Sequence, residues 1–284
     1  MVARRWIPDL SLHRLLPVSA IALGVVAAFV AINTSTLRTV ARYEQIIHQN
    51  ATRSLYHEYS LLYTTLYQYP ALLPELQPRR IEFGIKTWQS PPRNRADSLQ
   101  LGKLLAQDFL ALGDQARTRE FVATLLRLDS IDLDNYLLLG RYLDRFGTVE
   151  QREQLASNIR DRYDTLARGQ MEAGVMFLHV GDTLAGGECL TDAYRMDPAD
   201  SLVVINYATY LLSVGRYIEA EQVFEQAVRI RPSSFDAEYG LAVASVSAKH
   251  PQQAMQHLNR ARNLARSPEQ LSRVSRLLSL LTRR

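Results

Sequence analysis

Apolar positions in the second half of the chain recur three and four residues apart, which is the spacing of amphipathic helices. In residues 202–232 the apolar positions are Val204, Tyr207, Leu211, Ala220, Phe224 and Ala227. Gly215 marks a turn between two such helices, and Pro232 ends the second one. The pattern therefore predicts a helical hairpin with one apolar side, and such a hairpin cannot bury that side alone.

The same pattern returns in steps of 34 residues. Gly215 is preceded at this step by Gly181, Gly147 and Gly113, and Pro232 is preceded by Pro198. Small residues recur at the predicted helix crossings: Gly140, Gly174, Ala208 and Ala242; Gly186, Ala220 and Ala254; Ala193, Ala227 and Ala261. Large apolar residues recur beside them: Leu190, Phe224 and Leu258. A period shared by so many positions predicts stacked hairpins that bury a continuous core.

This period, with its alternation of small and large residues, resembles the tetratricopeptide repeat (TPR) family. Three copies, at 167–200, 201–234 and 235–268, match well, whereas 99–132 and 133–166 are degenerate. The degenerate copies have Thr118, Ser130, Arg152 and Asp164 where alanine or proline is expected. The resemblance implies an all-α fold, a right-handed TPR superhelix (α-solenoid). Residues 269–284 are predicted to form a helix with a polar outer face that caps the stack. The resemblance implies an architecture and not an activity.

The N-terminal region predicts a membrane anchor. Residues 1–14 are basic, and residues 15–32 contain no charged side chain. Eighteen helical residues reach about 27 Å, close to the thickness of a bilayer core, so 15–32 is predicted to be a transmembrane helix. The positive flank predicts a cytoplasmic N-terminus with the remainder exported. A cleaved signal peptide is the competing interpretation.

Two further segments precede the repeats. Residues 33–69 predict a long amphipathic helix, with a stripe at Leu55, Tyr59, Leu62, Leu66 and Tyr69. This stripe fits packing against the first repeats, self-association into a homo-oligomer, or docking to a membrane partner. Residues 70–98 are rich in proline and predict a linker. Within that linker, 81–88 fits either a strand or a helix.

Charge and cysteine content narrow the function classes. The formal net charge is +4, but residues 99–268 carry a net charge of −4, so the basic excess lies in the flanks. A domain that binds nucleic acid normally carries a basic surface, so no nucleic-acid partner is expected. The single cysteine, Cys189, is predicted to be a small buried apolar residue.

No catalytic, metal-binding or cofactor-binding constellation is recognisable. His57-Glu58 resembles the start of a zinc-protease helix, but position 61 is leucine, so the second ligand is missing. Gly102-Lys103 lacks the other residues of a phosphate-binding loop. His250 and His257 have no acidic cluster near them in sequence. We therefore expect no enzyme activity, no cofactor and no metal.

The TPR resemblance places a protein-binding groove on positions 2, 5, 9, 12 and 13 of the first helix of each repeat. In the three well-matched repeats these positions are Arg168, Met171, Val175, Leu178 and His179; Leu202, Ile205, Thr209, Leu212 and Ser213; Asp236, Tyr239, Val243, Val246 and Ser247. In the second degenerate repeat they are Asp134, Leu137, Arg141, Asp144 and Arg145. The lysine, arginine and asparagine set with which some TPR proteins grip a C-terminal carboxylate is missing. An apolar groove suits an amphipathic helix or an extended apolar segment, unless the N-terminal helix or a neighbouring repeat fills it.

Together these features predict a single-pass protein of the bacterial inner membrane with its repeats in the periplasm. Membrane-anchored TPR proteins of this kind serve exopolysaccharide secretion, pilus biogenesis, cytochrome c maturation and outer-membrane protein handling. The resemblance therefore implies a scaffold for other inner-membrane or periplasmic proteins in envelope assembly. Two alternatives remain open: an accessory subunit of a membrane glycan polymerase or ligase, and a periplasmic chaperone.

Overall fold

The computed structural model describes residues 73–89 and 95–282, which form helices joined by short connections and contain no strand. In chain order the described helices are α1 (Leu73–Gln89), α2 (Arg95–Leu112), α3 (Gln115–Leu128), α4 (Leu133–Phe146), α5 (Val149–Arg162), α6 (Ala167–Val180), α7 (Thr183–Met196), α8 (Ser201–Ser213), α9 (Tyr217–Ile230), α10 (Phe235–Ser247), α11 (Pro251–Leu264) and α12 (Pro268–Thr282). The described residues fall into two units, divided between Asp108 and Phe109. The prediction of an all-helical chain with tandem helices is confirmed for the described residues.

Each 34-residue frame from 133 to 268 holds two helices, and these pairs form most of the second unit. The pairs are α4–α5, α6–α7, α8–α9 and α10–α11. Their cores recur in register, because Leu190, Phe224 and Leu258 are all almost completely buried. The small residues predicted at the helix crossings are buried as well: Gly140, Gly174, Ala208, Ala242, Gly186, Ala220, Ala254, Ala193, Ala227 and Ala261. Burial of these faces against the neighbouring pair is the interaction that holds the stack together.

The degenerate repeats pack differently at two residues that depart from the repeat pattern, Thr118 and Arg152. Thr118 is fully buried, and its hydroxyl donates a hydrogen bond to the Asp114 carbonyl oxygen at 2.6 Å. The buried hydroxyl is therefore satisfied by the backbone at the start of its own helix. Arg152 instead reaches the surface, with its guanidinium 3.9 Å from the Asp144 carboxylate. Near it, between α4 and α5, lies an open cleft of about 390 Å³ with Leu139, Leu143 and Leu155 among its lining residues. The helix pair that has an arginine at the crossing position is thus packed less closely.

The turn between the two helices of a pair carries the recurrent glycine. Gly113, Gly181 and Gly215 have φ values of 78°, 93° and 78°, a region that favours glycine. Gly147 has an extended conformation instead (φ −94°, ψ 174°), and the following Thr148 caps α5 through a capping box with Gln151. In the last pair the corresponding residue is Lys249, with φ 66°.

Replacing Lys249 by glycine is expected to stabilise the protein. A side chain with positive φ costs about 1–2 kcal/mol, and the greater freedom of glycine in the unfolded chain offsets part of the gain. We expect Lys249→Gly to raise the free energy of unfolding by about 0.5–1 kcal/mol in urea denaturation. Lys249→Ala keeps the strained backbone and should give no such gain. Equal stability of the two variants would contradict the strain.

The predicted linker 70–98 is corrected by the structure, because residues 73–89 and the beginning of α2 are helical. Residues 81–88 take the helical alternative. Pro74 lies in the first turn of α1, where proline is tolerated, and Pro78 lies inside the helix. One interior proline removes one intrahelical hydrogen bond, which this 17-residue helix accommodates. Lys86 and Glu82, one turn apart, form an ion pair of 2.9 Å.

The predicted N-terminal elements lie outside the described residues. These are the cytoplasmic segment 1–14, the transmembrane helix 15–32 and the amphipathic helix 33–69. Among the described residues, no helix is both long and apolar enough to cross a bilayer.

Cys189 is buried in α7, as predicted, and packs in a cluster with Ile159, Ala173 and Phe177. Burial raises the pKa of its thiol to about 11. At pH 8 we therefore expect thiol reagents to modify native Cys189 about 100-fold more slowly than the unfolded chain. The rates are compared by absorbance with and without urea. A native rate within a few-fold of the unfolded rate would contradict this burial.

Candidate functional site

The predicted groove residues lie on the first helices of successive pairs. Those of the three well-matched repeats lie on α6, α8 and α10, and those of the degenerate repeat lie on α4. Side chains at equivalent positions repeat from pair to pair, because each of these helices begins 34 residues after the previous one. Their exposure varies from one position to the next. We call a position open where the side chain is exposed and occupied where neighbouring residues cover it.

Met171 belongs to the occupied positions. Its side chain is 2% exposed and packs in a cluster with Leu190, Ala193 and Val203. The Asn206 side-chain amide donates to its sulfur at 3.4 Å. The next repeat thus covers Met171, and no ligand can reach it in this conformation. Met171 was predicted to line the groove from its position along the helix. That position alone does not show how much of the space beside Met171 the neighbouring helix fills.

The groove residues of the last repeat are contacted by the capping helix. The Arg273 guanidinium of α12 lies 4.4 Å from the Tyr239 ring centre and 3.9 Å from the Asp236 carboxylate. Tyr239 also stacks on Phe235, with 5.6 Å between ring centres. A cation over an aromatic ring is a favourable contact. The sequence predicted only a polar outer face for this capping helix, and the contact of Arg273 with Tyr239 was missed. The signal for this contact is an arginine near the start of the helix that follows a repeat beginning with two aromatic residues, Phe235 and Tyr239.

A group of charged side chains lies at the other end of the predicted groove, on α4 and α6. The Arg168 guanidinium contacts the Asp134 carboxylate of the preceding repeat at 2.9 Å. Glu172, one turn after Arg168, was not among the predicted residues. Burial raises the pKa of Glu172, while Arg168 and Arg141 act to lower that pKa. Arg145 donates to the Leu110 and Ala111 carbonyl oxygens at the end of α2.

The open positions lie between these two ends, on α6 and α8. His179, Leu202, Thr209 and Ser213 are exposed, and Leu202 exposes 53% of its surface. The aliphatic members of the predicted set are half-buried: Val175, Leu178, Ile205, Leu212, Val243 and Val246. This surface is a mixture of aliphatic side chains and hydroxyls, and it lacks the lysine and arginine cluster of a carboxylate-gripping site.

The two histidines considered for metal binding each contact a separate glutamate. His250 Nδ1 lies 2.9 Å from Glu221, and His257 Nδ1 lies 2.7 Å from Glu238. Glu221 also accepts a hydrogen bond of 2.6 Å from the buried Ser245 hydroxyl. These contacts join α9, α10, α11 and the residue before α11, so the two buried carboxylates serve as polar links between helices. No group of three potential metal ligands occurs among the described residues.

Comparisons with known proteins agree with this architecture. A family model described as Tetratricopeptide repeat matches residues 211–281. A thermophilic TPR protein of Thermus thermophilus is similar in structure, with a TM-score of 0.52 and 19% identity over 63% of this chain and 98% of that one. The APC/C hetero-tetramer Cut9–Hcn1 is similar with a TM-score of 0.58 and 12% identity, over 86% of this chain and 46% of that one. At these identities the likeness concerns the fold alone. No curated protein matches the sequence.

Proposed function

Because this chain contains tetratricopeptide repeats, we propose that it is a non-catalytic scaffold that binds other proteins through the first helices of its repeats. The open surface on α6 and α8 is the observation that supports this proposal. It presents exposed Leu202 and Thr209 on α8, in the middle of the stack. An exposed leucine beside half-buried Ile205 and Val175 offers apolar area to a partner.

The composition of this surface favours one kind of partner. Hydroxyl groups at Thr209 and Ser213 alternate with aliphatic side chains, and on α6 the Arg168 guanidinium is paired with the Asp134 carboxylate. An amphipathic helix or an extended segment with apolar side chains fits such a surface. A partner that depends on a terminal carboxylate would lack its counter-charges there. We therefore propose an apolar segment of an envelope protein as the ligand.

We propose further that the repeats are held in the periplasm at the bacterial inner membrane. The uncharged segment 15–32, preceded by basic residues, supports this location. A protein-binding stack tethered in this way would assemble envelope machinery, such as that for exopolysaccharide secretion or pilus biogenesis.

Site-specific photocrosslinking in living cells tests the binding surface. A photoreactive amino acid replaces Leu202, Thr209 or His179 in the full chain, one at a time, and all three sites are exposed. Asn259 on α11, exposed and outside the predicted groove, is the matched control. We expect a product of one size from all three groove sites and no such product from Asn259.

The pattern of products also separates the alternatives. One dominant partner that is a membrane glycan polymerase or ligase would favour the accessory-subunit function. Products of many sizes would favour a chaperone that binds unfolded segments. No product at any of the three groove sites, with normal protein levels, would refute the proposed binding surface.

A further inference from the structure

The capping helix α12 carries a stripe of exposed side chains that its own stack does not use. Glu269, Arg276 and Leu280 are spaced by seven and four residues, so they lie on one face of the helix. Leu280 is 62% exposed. Neither Glu269 nor Arg276 takes part in an ion pair within the described part of the chain. A terminal helix is expected to present a polar outer face, and this leucine departs from that expectation.

Helix α7 carries the same three side-chain types, with the leucine first instead of last and with glutamate again before arginine. Its exposed stripe is Leu184, Glu188 and Arg195, spaced by four and then seven residues. Leu184 is 75% exposed, which is unusual for a large aliphatic residue inside a stack of repeats. The stripe lies on the second helix of its pair, so it is separate from the predicted groove on the first helices.

The charged residues of the α7 stripe are available for a partner. Glu188 makes no ion pair within the described residues. Arg195 lies 3.3 Å from Asp192, but 74% of the arginine side chain is accessible. An exposed pair of this kind contributes little to stability, so a new partner can replace it.

The two stripes are complementary when the helices run antiparallel. An alignment that starts from the two leucines brings opposite charges together at both other positions: Leu280 with Leu184, Arg276 with Glu188, and Glu269 with Arg195. Eleven residues of a helix span about 16 Å, so the three contacts fit along three turns of a helix pair.

Helix α9, the second helix of the next pair, matches only in part. Its exposed stripe at the equivalent positions is Ile218, Gln222 and Arg229. Ile218 is 61% exposed and could meet Leu280, but Gln222 offers no negative charge to Arg276. The charge pattern therefore distinguishes α7 from a neighbour that also has a largely exposed aliphatic residue.

The remaining second helices of the second unit also lack the match. The equivalent positions on α5 are Glu150, Gln154 and Asp161, and on α11 they are Gln252, Gln256 and Asn263. Helix α3 has the same charges at Glu120 and Arg127, but Ala116 replaces the large aliphatic residue. The full pattern of one aliphatic residue and two opposite charges occurs only on α7 among these helices.

We propose that the protein self-associates head to tail, with α12 of one copy docked antiparallel on α7 of a second copy. The donor and acceptor surfaces differ, so the contact is heterologous and leaves one free surface of each kind on the pair. Association therefore continues beyond a dimer, unless the contacts close into a ring. This contact uses the repeats and is independent of any association through residues 33–69.

Sedimentation velocity of the full chain in mild detergent, over about two decades of protein concentration, tests the proposal. The wild type should grow in mass with concentration. One double variant, Glu269→Arg with Arg276→Glu, reverses the charges of the α12 stripe. A second double variant, Glu188→Arg with Arg195→Glu, reverses those of the α7 stripe. Each should weaken association at least about tenfold, because like charges then face each other.

An equimolar mixture of the two double variants provides the decisive comparison. The reversed α12 of one variant is complementary to the reversed α7 of the other, and the two unchanged stripes are complementary as well. The mixture should therefore associate like the wild type, although neither variant does so alone. Both variants keep the net charge of the wild type, so a general charge effect predicts no such recovery.

A third double variant controls for charge reversal elsewhere. Glu153→Arg with Arg262→Glu makes the same changes at exposed positions outside the stripes, and it should leave association unchanged. Circular dichroism verifies that each variant keeps its helices. The proposal is overturned if the wild type stays at one mass over the whole range, if the stripe variants associate like the wild type, or if their mixture stays as weak as each alone.

Discussion

Replacing Phe224 by alanine is expected to lower the free energy of unfolding by about 3–5 kcal/mol. Phe224 is 2% exposed and packs with Ala208, Leu211 and Leu241, so it joins α9 to the helices on both sides. Its ring also occupies the space beside Gly240, where an added Cβ would come within 2.2 Å of the ring. Removing the ring leaves a cavity between two repeats, and Gly240 has no side chain that could fill it.

Urea denaturation followed by circular dichroism measures this loss. Tyr217→Ala is the matched control, because Tyr217 is an aromatic residue of the same helix that is 42% exposed. Its loss should be below about 1 kcal/mol, as for other surface substitutions. A cost for Phe224→Ala as small as that of Tyr217→Ala would show that the repeats do not share the core described above.

Gly174→Ala is expected to destabilise the protein by about 1–3 kcal/mol. Two effects oppose each other, since alanine inside a helix is favoured over glycine by about 1 kcal/mol. An added Cβ, however, would lie 2.7 Å from Leu190 and 3.0 Å from the Gly186 carbonyl oxygen. Leu190 is fully buried and the second atom belongs to the backbone, so neither can move away cheaply. Overpacking therefore outweighs helix propensity.

Gly187→Ala provides the contrast in the same denaturation experiment. The added Cβ there meets the hydroxyl end of Tyr210, at 2.2 Å, and this side chain is only partly buried. Tyr210 can rotate away, so the expected loss is smaller than for Gly174→Ala. If the two variants lost the same stability, or if Gly174→Ala were more stable than the wild type, the close crossing of α6 and α7 would be refuted.

The core of the stack was predictable because it depends on spacing alone. Ala220, Phe224 and Ala227 lie on one face of any helix, and a face of that composition is buried wherever a second helix is available. The turn at Gly215 was predictable for a similar reason, since positive φ favours glycine. Gly147 shows the limit of that inference: Thr148 caps α5 through its own side chain, so this turn does not need positive φ.

Whether each groove side chain is exposed or covered was less predictable, because this depends on neighbouring residues that sequence spacing does not specify. Met171 and Val175 lie one turn apart on the same helix, yet only Met171 is fully covered by the next repeat. Tyr239 is contacted by Arg273, 34 residues further along the chain. The first half of helix α1 was missed because prolines were taken as breaks, although Pro74 lies in a first turn and Pro78 removes only one hydrogen bond.

Affinity purification with native mass spectrometry tests the central claim that the first helices of the repeats bind a protein. The full chain is purified in mild detergent as the wild type, as Leu202→Arg with Thr209→Arg, and as Asn259→Arg. All three positions are exposed, so folding should be kept. We expect a stoichiometric partner with the wild type and with Asn259→Arg, and loss of that partner from the double variant. Retention of the same partner by the double variant would contradict the claim.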